Sequence, residues 1–182
     1  AVGLLAVYAF LRHASPDAKL LGWALGAAAL GDMAVELDRM VGGLLFLLFH
    51  LLALGVFLRH RRGPLKGADA WVAGLLVALV PLAGWLAPTD RALAWDVALC
   101  GLALGAMAAS AWASTFPRAK VGAGALLFVA SDLLLFAELG PLAGSDVPQW
   151  LVWPVYYLGM LLITTGVLTG LHKRDPQLRV VA

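Results

Sequence analysis

Charged residues are scarce in this sequence. Only 13% of the 182 residues are Asp, Glu, Lys or Arg, and 62% are hydrophobic. A soluble domain has about a quarter of its residues charged, so this chain cannot cover a water-facing surface. A soluble enzyme, a nucleic-acid-binding protein and a disordered tail are therefore excluded, and the composition indicates a protein of the lipid bilayer. The single cysteine, Cys100, excludes an internal disulfide and a CxxC metal or redox motif.

Charged residues and Pro or Gly breaks divide the chain into seven apolar runs. The runs lie at roughly 1–11, 19–36, 42–58, 70–87, 93–113, 120–139 and 150–171. The full runs have about the length of a membrane-spanning helix and lack the alternation of a transmembrane β-barrel. We therefore expect an all-α, polytopic transmembrane helix bundle of about seven helices, forming a single domain over residues 1–182. The first run is too short to span and is expected to be an incomplete helix.

The basic residues divide very unevenly between the two sets of alternate loops. One set, with its edges, holds eleven of them: Arg12, Lys19, Arg59, Arg61, Arg62, Lys66, Arg118, Lys120, Lys173, Arg174 and Arg179. The other set holds Arg39 and Arg91. Cytoplasmic loops of membrane proteins carry an excess of Lys and Arg. We therefore predict a cytoplasmic C-terminus in an integral membrane protein of the bacterial inner (cell) membrane.

A few polar side chains lie inside the apolar runs, where ionisable groups are costly and usually functional. They are Asp32, His50, Asp96, Asp132 and the pair Tyr156 and Tyr157. Measured along their helices, they fall in the outer half of the membrane, so five helices offer polar groups at similar depth. This arrangement predicts a single pocket. Asp96 lies near the headgroups, where a solvated carboxylate is the simpler interpretation.

Several site types are absent. The lysines near the runs, Lys19 and Lys120, lie only at run edges, which excludes a retinal Schiff base, and only one histidine, His50, lies in the membrane. A three-histidine zinc site therefore cannot be built, and there is no GxSxG motif. We expect neither metal nor cofactor. The remaining chemistry is acid–base catalysis by carboxyl groups with support from His and Tyr.

Three short blocks resemble those of the YhhN-type lysoplasmalogenase family. They are LGD at 30–32 with G…F…H at 43–50, GA…F…SD at 124–132, and the pair of tyrosines at 156–157. The blocks are in family order and span most of the chain. The family has about eight helices, so the resemblance implies that the first is absent here. Met160 stands where the family usually has glutamine, and Asp96 has no counterpart in the pattern.

The resemblance implies an ether hydrolase that cleaves the vinyl-ether bond of lysoplasmalogens to a fatty aldehyde and a glycerophospho head group. The partners would be a lysophospholipid substrate and membrane lipid. Such cleavage needs one protonated carboxyl group and one carboxylate, which two neighbouring acids in an apolar pocket can supply. We expect Asp32 and Asp132 to be this pair, with either one as the acid.

Supporting roles are expected for four further residues. His50 would orient a catalytic carboxyl group or a water molecule. Tyr156 or Tyr157 would hydrogen-bond to the ether oxygen or the head group, with Ser131 beside Asp132 as part of the substrate site.

Three other functions use the same residues. An intramembrane aspartyl protease also has two membrane aspartates, but its GxGD motif is lacking before Asp132. A carrier or channel would use the aspartates as proton or cation sites, although no internal repeat is evident. A non-catalytic lipid-binding protein would use them for stability alone.

Overall fold

The computed structural model describes residues 1–174, which form seven α-helices and contain no β-strand. The helices are α1 (Val2–Arg12), α2 (Pro16–Ala34), α3 (Arg39–Arg59), α4 (Ala68–Leu86), α5 (Ala94–Trp112), α6 (Ala123–Glu138) and α7 (Val147–His172). A 3₁₀ turn at Arg91–Leu93 leads into α5, and a π-helical turn at Arg118–Gly122 leads into α6. The prediction of an all-α bundle of about seven helices is confirmed. Arg179, one of the predicted cytoplasmic cations, lies outside the described residues.

Five segments are long and apolar enough to cross a membrane. They are Arg39–Arg59, Ala68–Leu86, Arg91–Trp112, Arg118–Glu138 and Val147–His172. Helix α2 differs because it carries three charged side chains, Asp17, Lys19 and Asp32. Helix α1 is apolar but has only 11 residues. Large apolar side chains cover the outside of the bundle, as an integral membrane protein requires.

The helices pack mainly as sequential neighbours. The most extensive contacts join α4 to α5, α2 to α3, α6 to α7 and α1 to α2, and a further contact joins α3 to α5. The α3–α5 contact connects the first half of the chain to the second. Four phenylalanines, Phe49, Phe57, Phe116 and Phe128, are fully buried in the core between the helices.

The loops that carry most of the basic residues meet at one end of the bundle, here called the basic end (loops 13–15, 60–67 and 113–117, with 173–174). The backbone N–H of Thr115 donates to the carbonyl of His60 at 2.8 Å. Arg174 donates to the Thr115 hydroxyl at 2.7 Å, and Asp17 lies 2.8 Å from His60. The opposite end, the far end, comprises loops 35–38, 87–93 and 139–146.

One imidazole at the basic end has its tautomer determined by its neighbours. The guanidinium of Arg174 lies 2.8 Å from Nδ1 of His60, and a guanidinium can only donate. Nδ1 therefore accepts, and Nε2 carries the hydrogen that is donated to Asp17 at 2.8 Å. Because Asp17 belongs to α2 and Arg174 follows α7, this bridge ties the first half of the bundle to the last helix.

The crossing of α6 and α7 depends on two facing glycines. A Cβ atom added at Gly124 would lie 2.8 Å from the carbonyl oxygen of Gly159 and 2.9 Å from Cβ of Leu162. Small residues of this kind allow helix backbones to approach closely in membranes. Helix α6 is thereby held against the helix that carries Tyr156.

We expect Gly124→Ala to lower the free energy of unfolding by about 1–3 kcal/mol, because the added methyl group meets backbone atoms that cannot move independently. The measurement is denaturant-induced unfolding in mixed micelles. Gly74→Ala is the matched control, since a Cβ there has nothing within 4 Å and the residue is also helical. The control should be neutral or stabilising by about 0.5–1 kcal/mol. Equal destabilisation by both substitutions would contradict this account of the crossing.

Candidate functional site

Asp32 and Tyr156 form a hydrogen-bonded pair between α2 and α7. The Tyr156 hydroxyl donates to Oδ1 of Asp32 at 3.0 Å. The Tyr156 side chain is buried, whereas Asp32, two residues before the end of α2, is half-buried. This carboxyl group therefore combines one fixed hydrogen-bond donor with access from outside the protein.

Asp132 and His50 form a second pair between α6 and α3. Oδ2 of Asp132 lies 3.7 Å from Nε2 of His50. The two residues are only 8% and 2% exposed, so this pair is enclosed by protein. Neither ring nitrogen of His50 makes a hydrogen bond of good geometry within the described residues, and its polar contact with the backbone of Phe46, one turn earlier, is a weak one. A buried imidazole with both nitrogens unpaired is uncommon and marks a position where a ligand or water can bind.

The Ser131 hydroxyl lies near the Asp132 carboxyl group but donates its hydrogen to a different acceptor. Its hydroxyl donates to the Phe128 carbonyl at 2.8 Å and lies 3.4 Å from Oδ1 of Asp132. A hydroxyl has one hydrogen, so the shorter contact takes it. The Ser131 oxygen is therefore available to accept a hydrogen bond from a protonated Asp132.

The ring of Phe128 joins the two pairs. Its centroid lies 5.4 Å from the His50 ring and 5.4 Å from the Tyr156 ring. The enclosed pair and the accessible pair therefore both contact one aromatic ring, and these two pairs contain four of the six residues expected from the sequence.

Of the other expected residues, Ser131 lies inside the site and Tyr157 lies apart from it. The Tyr157 side chain is 37% exposed and lies on the outer surface of the bundle. Successive residues of a helix point about 100° apart, so neighbouring tyrosines cannot both face the core. Met160, which stands where the family pattern has glutamine, is fully buried one turn beyond Tyr156. It presents an apolar thioether in place of an amide.

The polar residues of the site lie between the far end and the middle of their helices. Asp32, Asp132 and Tyr156 lie in the halves of their helices nearer the far end, and His50 lies at the middle of α3. Asp96, in the first turn of α5, is exposed, in agreement with its interpretation as a solvated group.

Three aromatic residues of the site were not singled out in the sequence. Besides Phe128 they are Phe46, with its ring 6.2 Å from Tyr156, and Trp153, with its ring 5.9 Å from Tyr156. Each lies one helical turn before a polar site residue: Phe128 before Asp132, Phe46 before His50 and Trp153 before Tyr156. This spacing of three or four residues is the signal that could have identified them.

The arrangement can perform acid–base chemistry. One carboxyl group is buried beside an imidazole, and the other is accessible and bonded to a phenol, so the two groups have different surroundings. Among residues 1–174, no group of three or more His, Cys, Asp or Glu side chains is placed to hold a metal ion.

We expect Tyr156→Ala to lower the free energy of unfolding by about 3–5 kcal/mol, because it empties the space between the Phe128, Phe46 and Trp153 rings. The measurement is unfolding in mixed micelles. Tyr157→Ala, one residue away, is the matched control and should cost less than about 1 kcal/mol because its side chain is exposed. A Tyr157→Ala loss as large as that of Tyr156→Ala would contradict the placement of these two side chains.

Comparison with known proteins identifies the family. The chain matches the model of the YhhN family over residues 1–167. A search of curated proteins and a search of solved structures each found no match. The family match covers more than nine-tenths of the chain, including all the residues of both carboxyl pairs, and the chain belongs to the YhhN family, the family of the lysoplasmalogenases.

Proposed function

We propose that this protein hydrolyses the vinyl-ether bond of lysoplasmalogens, releasing a fatty aldehyde and a glycerophospho head group. The observation that supports the proposal is the Phe128 ring, which lies 5.4 Å from the imidazole beside the enclosed Asp132 and 5.4 Å from the phenol bonded to the accessible Asp32. Family membership supports the same reaction. The lipid reaches the site from the surrounding membrane, which the apolar outer surface of the helices supports.

The reaction needs an acid before it needs a nucleophile. Protonation of the β-carbon of the vinyl ether gives an oxocarbenium ion, and water adds to its carbon to form a hemiacetal. The added water loses one proton in forming the hemiacetal. The remaining hydroxyl proton of the hemiacetal then passes to the glycerol oxygen as the C–O bond breaks, so that the glycerol part leaves as an alcohol and the chain leaves as an aldehyde. One proton is donated to carbon and one is removed from water, so the site requires a protonated and an ionised carboxyl group.

The different surroundings of the two aspartates support different roles for them in the proposed reaction. Asp132 is buried and has no cationic group bonded to it among the described residues, and burial of an unpaired anion is strongly unfavourable. Asp132 is therefore the acid, and its proton can be held by the Ser131 oxygen until it is transferred. Asp32, half-buried and bonded to the Tyr156 hydroxyl, is the carboxylate that accepts the proton from water.

His50 orients the acid. Its Nε2 atom lies 3.7 Å from Asp132, and the Phe49 and Phe128 rings hold its imidazole on two sides at 5.3 Å and 5.4 Å. The ring therefore has little freedom to turn. A small movement or one water molecule would connect it to the carboxyl group and assist the return of a proton to Asp132.

We expect purified protein to release aldehyde from a lysoplasmalogen, and Asp32→Asn and Asp132→Asn each to reduce the rate by at least about 100-fold, as for loss of a general acid or base. Asp96→Asn is the matched control, since this exposed aspartate lies outside the site and should retain the parent rate. Unfolding in mixed micelles shows that each variant is folded.

Three outcomes would overturn part or all of this proposal. A folded parent that releases no aldehyde would remove the reaction and favour transport or lipid binding. Release that survives both site substitutions would leave the reaction and remove the carboxyl mechanism. Loss of release in Asp96→Asn as well would remove the assignment of the site.

We further propose that the basic end faces the cytoplasm of a bacterial cell and that the chain resides in the inner membrane. With Cys100→Ala as background, Gly63→Cys and Ala143→Cys place one thiol at the basic end and one at the far end. A membrane-impermeant maleimide on intact spheroplasts should label only Ala143→Cys, and both after lysis. Labelling of Gly63→Cys alone in intact spheroplasts would reverse the orientation.

A further inference from the structure

An apolar groove opens between α4 and α6 at the far end of the bundle. Its volume is about 340 Å³, within the range of small-molecule sites. The residues that line it are Ala83, Leu86, Ala87, Leu133, Phe136, Ala137 and Pro141. Every one of these side chains is apolar, so the groove suits the hydrocarbon part of a lipid.

The groove is adjacent to the carboxyl group assigned as the acid. Leu133 directly follows Asp132 on α6, and Phe136 lies one turn further toward the far end. Asp132 is six residues from the end of this helix, about 9 Å along its axis. A molecule seated in the groove would therefore extend from the rim of the bundle to the level of Asp132.

The α4 end of the groove, here called the rim, lies beside an arginine that is not itself one of the lining residues. Nη1 of Arg91 donates to the carbonyl of Trp85 at 2.8 Å and to that of Pro88 at 3.4 Å, and its guanidinium carbon lies 4.4 Å from the centre of the Trp85 ring. Trp85 and Pro88 flank the two lining residues Leu86 and Ala87 in sequence. Both hydrogen bonds that Arg91 makes within residues 1–174 use Nη1, so the other N–H groups of this exposed side chain can bind an anion.

The rim is held in shape by contacts between two loops. The backbone N–H of Thr89 donates to the carbonyl of Leu139 at 2.9 Å, and Gly140 lies directly against the carbonyl of Ala87. A side chain at position 140 would collide with that carbonyl. The ends of α4 and α6 are therefore fixed relative to each other, and the groove exists without a ligand to form it.

We propose that this groove is the docking position of a phospholipid from the membrane, with the phosphate on Arg91 and the hydrocarbon part against α4 and α6. This inference rests on the proposed function, because it names how the substrate is held. In a lysophospholipid, only the glycerol unit separates the phosphate from the bond that joins the hydrocarbon chain to the glycerol. A phosphate at the rim therefore places that bond deeper in the bundle, toward Asp132.

The test uses a photoreactive lipid that cannot undergo the proposed reaction. The probe is an ester-linked lysophosphatidylcholine with a diazirine near the glycerol end of its chain, reconstituted with the protein in nanodiscs. After irradiation, mass spectrometry locates the labelled residues. We expect labelling to concentrate on 83–87 and 133–137, the two segments that line the groove.

Substitutions separate the groove from the rest of the lipid-facing surface. Ala83→Phe and Ala137→Phe fill the groove and should reduce labelling of these segments about tenfold. Ala78→Phe is the matched control, since Ala78 is exposed on the same helix outside the groove, and it should leave labelling unchanged. Even labelling along all the helices, or equal losses in the three variants, would overturn the proposal.

A charge substitution tests the phosphate position. Arg91→Gln should reduce labelling by the phospholipid about fivefold, and labelling by an uncharged monoacylglycerol with the same diazirine should not change. Arg39→Gln, at the other far-end arginine, is the control. An equal effect of Arg91→Gln on both probes would overturn the assignment of Arg91.

The labelling experiment does not depend on catalytic activity. If the groove is labelled in a protein that releases no aldehyde, the docking position is supported and the proposed function is contradicted. If aldehyde is released but the groove is not labelled, the proposed function is supported and the docking position is contradicted.

Discussion

A carboxyl group buried away from water must be neutral, paired or hydrogen-bonded, and this constraint governs the interior of the bundle. This constraint applies most directly to Asp132. It is surrounded by Phe128, Ser131 and His50, and none of these supplies a permanent positive charge. The helices that enclose Asp132 must therefore fit closely. Two turns earlier on α6, the facing glycines Gly124 and Gly159 bring this helix directly against α7.

Much of the fold follows from the distribution of charge in the sequence. Charges and Pro or Gly breaks indicate where each helix ends, because charged side chains are costly inside lipid. The seven runs correspond to the seven helices, with ends that differ by a few residues. Helix α2 begins at Pro16 rather than near 19, since Ser15 caps it and accepts a hydrogen bond from the backbone of Ala18. The apolar run in the sequence predicts this helix, but it does not indicate the N-cap residue at which the helix begins.

The sequence identifies the polar residues of the candidate site, but it does not indicate which of them pair with each other. Asp32, His50, Asp132 and Tyr156 stand out because polar side chains are rare in apolar runs. Which of them meet depends on how each helix is rotated about its axis, and helices that are apolar on all sides give little information about rotation. The same limit explains why Tyr156 and Tyr157 were indistinguishable in sequence, although only Tyr156 faces Asp32.

The two ends of the bundle are built differently, and the difference bears on how a lipid could enter. At the basic end, Asp17, His60, Thr115 and Arg174 tie loops together through charged hydrogen bonds. At the far end, Thr89 and Leu139 connect only α4 and α6 through a backbone bond, beside an apolar groove. Asp32, the accessible carboxyl group, also lies near the far end. In the proposed reaction, a substrate that approaches from this side meets an apolar surface first and the enclosed carboxyl group of Asp132 last.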